Sequence, residues 1–398
     1  MIEPKLRFPE FNDSWNKYKI ENIFDRVGIP VELDDSQTYR EIGIRSHGKG
    51  IFHKEETTAT EIGNKRVFWV EPGCFVVNIV FAWERAVAKT TEKENGMIAS
   101  HRFPMYKPKK DIVDLDYITE YFITKRGQNV LILASPGGAG RNKTLGQKEF
   151  AKSVVKLPSL PEQQKIAEFL STIDTVIEKQ KETVSVWEER KKGVMQKLFS
   201  QKVRFKSDDG SEFPEWEEKK LGDICKTFSG GTPKSGEARY YENGTISFIR
   251  SGEIHDDKTE LHISDDGLNK SSAKMVDIGD ILYALYGATS GEVDISKING
   301  AINQAILCIR PMKDFNRKFI VEILRHNKEN ILGRYLQGGQ GNLSAQIIQS
   351  LVLDFPCCEE QQRIADCLVS FDDVIEKQKS TLAAWEELKK GLLQQMFV

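Results

Sequence analysis

Residues 161–199 read PEQQKIAEFLSTIDTVIEKQKETVSVWEERKKGVMQKLF, and residues 359–397 read EEQQRIADCLVSFDDVIEKQKSTLAAWEELKKGLLQQMF. The two stretches align at an offset of 198 without a gap, about half of their positions are identical, and VIEKQK is shared whole. A chain written twice in this way folds as two copies of one plan, each closed by the same element. Upstream the copies agree more weakly. Trp15, Ile20 and Ile23 return as Trp216, Leu221 and Ile224, Arg7-Phe8 as Arg204-Phe205, and Ile44-Arg45-Ser46 as Ile249-Arg250-Ser251. The predicted order is a variable domain (1–156), a repeated helix (157–202), a second variable domain (203–354) and a second repeated helix (355–398), with the polar stretch Lys206 to Glu215 as linker.

In the first repeated segment the apolar side chains step by alternating fours and threes. They fall at Ile166, Leu170, Ile173, Ile177, Val184, Trp187, Val194 and Leu198, with Gln180 and Lys191 filling the gaps. The second segment matches position for position: Ile364, Leu368, Phe371, Ile375, Gln378, Leu382, Trp385, Lys389, Leu392 and Met396. That period is a coiled-coil seam. A helix from about 162 to 199 would be roughly 57 Å long, and one such stripe cannot bury itself. We expect the two helices to pack on each other antiparallel, bringing Gln180 and Gln378 together mid-seam, where a polar residue fixes register. The alternative is two separate core helices, one in each domain.

Composition narrows the class. Of 398 residues, 39% are hydrophobic and 29% charged, with a formal net charge of −2, which suits a soluble globular protein and not a free-standing basic nucleic-acid binder. The halves differ: residues 1–156 hold 25 Lys and Arg against 21 Asp and Glu, whereas residues 203–354 hold 19 against 23. The six cysteines make no C-x-x-C pair or zinc spacing, so reduced thiols and no metal site are expected. The longest nearly apolar run, Cys74 to Trp83, is half a membrane span, and a cytoplasmic protein is expected. Both variable domains mix β-branched stretches (68–80, 246–249, 278–285, 301–309) with helical ones (116–125, 318–330), an α+β pattern.

One loop imitates a phosphate cradle. SPGGAGRNKT (135–144) follows the apolar run Val130 to Ala134, but Asn142 stands where the P-loop needs its second glycine. Its counterpart in the other half, LQGGQGNLSA, has no Lys-Thr at all. A nucleotide site would need that lysine, so the loop is read as a duplicated surface loop. Other loops carry groups suited to base edges and phosphates: Ile44 to Gly50, Phe228 to Lys234, Tyr286 to Gly291, Asn303-Gln304 and Gln337 to Asn342. Any one of them alone is an ordinary solvated turn; only the set points to DNA.

Variable domains in tandem, each followed by a near-identical long helix opening on Glu-Gln-Gln-x-Ile-Ala, resemble the specificity subunit of type I restriction–modification systems. The resemblance rests on LPSLPEQQKIAEFL (157–170), SGGTPKSG (229–236), FIRSGEI (248–254), GDILYALYGATSG (279–291), INQAI (302–306) and QGGQGNLS (337–344), and it covers nearly the whole chain. It implies an α+β protein with two target recognition domains separated and joined by two long helices, packed as an antiparallel coiled coil with pseudo-two-fold symmetry. Each domain would read one half of a split, asymmetric sequence in double-stranded DNA. The helices would set the gap and dock two methyltransferase subunits, to which restriction–translocase subunits add. No catalytic residue and no cofactor is implied for this chain; S-adenosylmethionine, ATP and Mg would belong to the partners. The DNA-facing candidates are Arg45, Ser46, Lys49, Arg141, Asn142 and Lys143 in the first domain. In the second they are Ser229, Thr232, Lys234, Arg250, Ser251, Thr289, Gln304, Gln337, Gln340 and Asn342. Seam and docking candidates are Ile166, Leu170, Ile173, Ile177, Gln180 and Trp187 on the first helix, with Ile364, Leu368, Phe371, Ile375, Gln378 and Trp385 on the second. Two departures stand out: the second helix lacks the proline at its start, and the first domain has no clear counterpart of SGGTP. A stand-alone adenine methyltransferase is the less favoured alternative, because its Pro-Pro motif needs adjacent prolines and the chain has none. A protein-binding adaptor remains the alternative from another class.

Overall fold

A computed structural model describes residues 4–137, 143–336 and 342–397. Arg141, Asn142, Gln337 and Gln340 lie outside the described residues. The chain divides into two units: Met1–Lys181 with Ser380–Val398, and Glu182–Lys379. Each long helix, Leu160–Phe199 and Cys358–Met396, thus gives part of its length to each unit.

In the first unit a four-stranded antiparallel sheet runs in the order Phe24–Val27, Met105–Pro108, Phe75–Val77, Val87–Lys89. A second sheet centres on the parallel neighbours Thr38–Ile44 and Ile98–Ser100. The second unit repeats both plans. Its antiparallel sheet runs Cys225–Ser229, Ile306–Pro311, Ile281–Ala284, Val293–Ile295, and Ile246–Ile249 lies parallel to Gly300–Ile302. In the first unit Phe75 on the sheet packs with Phe122 and Phe150 on helices in an aromatic core, all three fully buried. In each copy a short strand pair, Asn16–Lys19 with Val154–Leu157 and Glu217–Lys220 with Val352–Phe355, delivers the chain to its long helix.

The apolar run at Val130 to Ala134 closes a helix, Lys125–Leu133, and Leu133 is 83% exposed. A P-loop needs a strand at that place, so the phosphate-cradle reading fails in geometry as well as in sequence.

The seam residues bury as their period requires. In the first unit Ile166, Leu170, Ile173 and Ile177 share one core cluster with Leu392 and Met396, flanked by Leu382 and Trp385. In the second, Leu198 and Val194 meet Ile364 and Leu368, and Trp187 lies edge-on to Phe371 at 6.1 Å. The start of one helix packs against the end of the other, so within each unit the pairing is antiparallel. Ile375 is buried, and Gln180 and Gln378 are half-buried.

The seam lysines are ionic junctions. Lys389 holds Asp174 at 2.7 Å and Glu120 at 3.4 Å. Lys191 holds Asp372 at 2.7 Å and lies 3.0 Å from Glu322, off the axis of a hydrogen bond.

The repeated Glu-Gln is explained by burial. Glu162 and Glu360 are 1% and 0% exposed, and each takes a two-pronged contact from an arginine at the start of its own domain. Arg7 donates from Nε and Nη2 at 2.8 Å each, and Arg204 at 3.1 and 2.8 Å. Gln163 donates to the carbonyls of Pro158 and Ile112 and accepts from the Asp114 amide; Gln361 donates to Pro356 and accepts from the Asn316 amide. These side chains tie the front of each domain to its following helix.

Candidate nucleic-acid interface

The order of the strands decides where the loops go. In the second unit, Ser229 ends the first strand opposite Leu307, and Ala284 ends the third opposite Ile306. The loops that follow them, and the Asn303–Ala305 turn that precedes Ile306, therefore lie at one end of the sheet. The Leu285 amide donates to Ala305 at 2.8 Å, and the Leu343 amide donates to Leu285 at 3.0 Å, which brings Asn342 to the same end. Arg250 and Ser251 follow Ile249, whose parallel partner is Ile302, so they arrive there too.

The first unit builds the same end with different side chains. The Ile79 amide donates to Arg102 at 3.0 Å, and the Leu145 amide to Ile79 at 2.8 Å, carrying Lys143 beside the sheet end. His47 and Gly48 donate their amides to Glu84 and Arg85 at 2.8 and 2.9 Å, placing the Arg45–Gly50 loop there. His47 and Gly48 both have positive φ, 62° and 67°, so this turn is tightly folded.

The side chains divide by what already holds them. Thr232 and Gln304 are exposed and joined: the threonine hydroxyl donates to Gln304 Oε1 at 2.7 Å, leaving the Gln304 amide NH2 aimed outward as a donor. Lys234 and Lys49 are exposed, and neither has a carboxylate partner among the described residues. Arg45 lies 4.9 Å over the Phe52 ring, and Lys143 lies 6.0 Å over Trp83. Thr289 and Ser251 are half-buried, and Asn342 is exposed.

Three candidates are turned inward or occupied elsewhere. Ser229 turns its hydroxyl into the protein, where it meets no partner among the described residues, so it is not placed to reach a duplex. Ser46 donates to Glu84 at 2.7 Å. Arg250 is clamped by Glu253 (2.9 and 3.0 Å) and Glu260 (2.7 Å), which together raise its pKa. Burial works against the Glu253 charge, yet the bonds from Arg250 and the Glu260 amide hold its carboxyl below the usual range. An arginine already forked onto two carboxylates is a poor reader of guanine.

Sequence reading missed two cation–ring groups, one in each unit. The Phe228 ring carries Lys274 at 5.7 Å and Arg310 at 5.2 Å, and Arg310 is itself held by Asp280. Trp83 supports Lys143; its place at the close of the apolar run from Cys74 was the only available signal. Among the described residues no group of three or more His, Cys, Asp or Glu is arranged to hold a metal, and no helix is long and apolar enough to cross a membrane.

Comparisons with known proteins agree on one family. The model of the type I restriction modification DNA specificity domain matches residues 75–184 and 214–383. A protein of Methanocaldococcus jannaschii, named as the MjaX specificity subunit of a type I restriction enzyme, is 27% identical over 305 residues, 73% of this chain and 68% of that one. The S subunit of a type I restriction–modification system from M. genitalium superposes with a TM-score of 0.58 at 15% identity, covering 100% of this chain and 99% of its own. A structure reported for complex assembly and conformational transition of the type I R-M system gives 0.59 at 18% identity, covering 98% of both chains. At such identities the structural likeness speaks for the fold.

Proposed function

We infer the function from a membership: the chain belongs to the family of type I restriction modification DNA specificity domains. It is a DNA sequence-specificity subunit and not an enzyme; methylation and cleavage belong to partner subunits. We propose further that each unit reads one half of a bipartite, asymmetric duplex target, and that the helix pair sets the unread gap and docks two methyltransferase subunits. Restriction–translocase subunits would join through these, with S-adenosylmethionine, ATP and Mg bound on the partners. The observation that carries this reading is the matched loop end in the two units. The same backbone bonds, Leu145 to Ile79 and Leu343 to Leu285, hold the same loops at the same end of equivalent sheets, while the side chains there differ. Two readers of different sequence on one plan require that arrangement.

Modification-aware sequencing of DNA from cells expressing this chain with its methyltransferase tests the reading. One split motif with a fixed gap and a modified adenine on each strand is the expected result. Continuous motifs, or no modification beside a methyltransferase that works with another specificity chain, would return the protein to the adaptor class.

A further inference from the structure

The first unit contains a cleft of about 1210 Å³ between its recognition domain and the helix pair. Its domain wall is formed by the His47–Gly50 turn, Arg85 and the corner Thr124–Arg126, and its helix wall includes Asp174, Lys181 and Lys389. On the helix wall the charges cancel. Asp174 holds Lys389, with Glu120 reaching it from the domain side, and Glu178 and Glu386 flank Lys181 at 2.9 and 3.9 Å. On the domain wall they do not: Lys49, Arg85, Lys125 and Arg126 have no carboxylate within ion-pair distance among the described residues.

Two features of that wall lack a counter-charge. Lys125 and Arg126 occupy the first turn of the nine-residue helix Lys125–Leu133, where the helix dipole is already positive and a cation is unfavourable. Arg85 is held by one bond, Nη1 to the Ile123 carbonyl at 3.2 Å, while its buried Nε meets no acceptor among the described residues. A buried donor without an acceptor is costly unless a ligand supplies one.

The second unit has cations at the matching corner and neutralises them. Lys328 opens the helix after Asn327 and pairs with Glu292, and Arg325 pairs with Asp294 and Glu322. The excess is therefore peculiar to the first copy, as is its surplus of basic residues.

We propose that this cleft binds the phosphodiester backbone of duplex DNA, with Lys49, Lys125 and Arg126 on phosphate oxygens and Arg85 braced behind them. The inference rests on the DNA-reading function above and adds to it an unequal division of labour: the first unit grips the backbone as well as reading, and the second does not. The volume exceeds the roughly 300–1,000 Å³ of small-molecule pockets. One wall is also the Arg45–Gly50 loop, so a duplex meeting that loop with its bases carries a strand along the cleft.

The test is the salt dependence of binding of the full chain to a duplex of arbitrary sequence. Each phosphate contact adds about 0.9 to the slope of log K against log salt. Lys49→Ala/Lys125→Ala/Arg126→Ala should lower that slope by about 2–3, whereas the charge-keeping Lys49→Arg/Lys125→Arg/Arg126→Lys should preserve it. An unchanged slope in the alanine variant, or an equal drop from Lys17→Ala/Lys19→Ala/Lys148→Ala outside the cleft, overturns the proposal and leaves the reading function standing. An unchanged slope with lost methyltransferase association makes the cleft a protein-docking surface and overturns it as well. If the wild-type chain binds no duplex even with methyltransferase supplied, the reading function falls and the cleft proposal with it.

Discussion

Lys389 stands where the heptad seam calls for an apolar side chain, and Lys191 stands at the same place in the other copy. From the sequence each reads as a gap in a stripe. The structure shows each one clamped between a carboxylate on the facing helix and a glutamate from the recognition domain, the half-buried Glu120 for Lys389 and the buried Glu322 for Lys191. That second partner was not legible, because Glu120 lies 269 residues from Lys389 and periodicity carries no information across such a distance. Burial raises the Glu120 pKa, with Lys389 pulling the other way. Lys389→Met should therefore destabilise the first unit by about 1–3 kcal/mol, since it strands a carboxylate in a poorly solvated place. Adding Glu120→Leu should recover most of that loss. Denaturant midpoints of the single and double variants measure both; equal midpoints for wild type and Lys389→Met would show the junction to be inert. Gln304 is a candidate readout residue, with its amide NH2 free of partners among the described residues. Gln304→Ala should relax or abolish methylation of the target while assembly survives, which size-exclusion chromatography of the complex checks. Loss of assembly would mean that its bond with Thr232 is structural.

Among the elements, the long helices were the most legible from sequence and the recognition loops the least. A seam of alternating fours and threes determines a helix, its length and its buried face with no knowledge of neighbours. Its start is set by the Glu-Gln pair, whose repetition was visible although its cause was not: Arg7 and Arg204 reach back to it from the front of each domain. Glu360→Ala should cost about 2–4 kcal/mol, because it leaves the Arg204 guanidinium and the Trp216 indole without their acceptor. Calorimetry of the full chain would show the second unit melting earlier. The loops resisted reading because loop chemistry is permissive. Arg250 and Lys234 look equally suited to DNA as letters, yet Glu253 and Glu260 occupy only the first. A pH effect also belongs at this scale. His255 donates toward Asp294 at 2.8 Å, which raises its pKa above the usual 6.5, with Glu292 adding attraction and Arg325 opposing it. A raised histidine stabilises fully below the unfolded value and loses that contribution as pH rises through the folded one. The melting temperature of the second unit should thus fall slightly from pH 6 upward, and His255→Ala should flatten that fall.

For the whole molecule, net charge sets the expectation. At −2, with domains of opposite sign, the isolated chain should bind duplex weakly, tightening when the methyltransferase joins. Anisotropy titrations with and without the partner check this, and nanomolar, sequence-specific binding by the chain alone would contradict it. The duplicated plan was legible at this scale because a repeat needs no physics to be seen. The cleft was not, since its walls come from residues 47–50, 85, 124–126 and the distant helix ends.

The first unit needs Ser380–Val398 to complete its core, and all of residues 182–379 belong to the other unit. The Leu6 amide donates to the Gln395 carbonyl at 3.1 Å, just as Val203 donates to Lys197 at 3.3 Å in the second copy. On the ribosome, the intervening stretch takes roughly 10–40 s to emerge at about 5–20 residues per second. Throughout that interval the first unit has been synthesised but cannot close, with the apolar stripe from Ile166 to Ile177 waiting for Leu392 and Met396. The half made second is the half that can finish first, and a nascent chain stalled in between would present that stripe to chaperones.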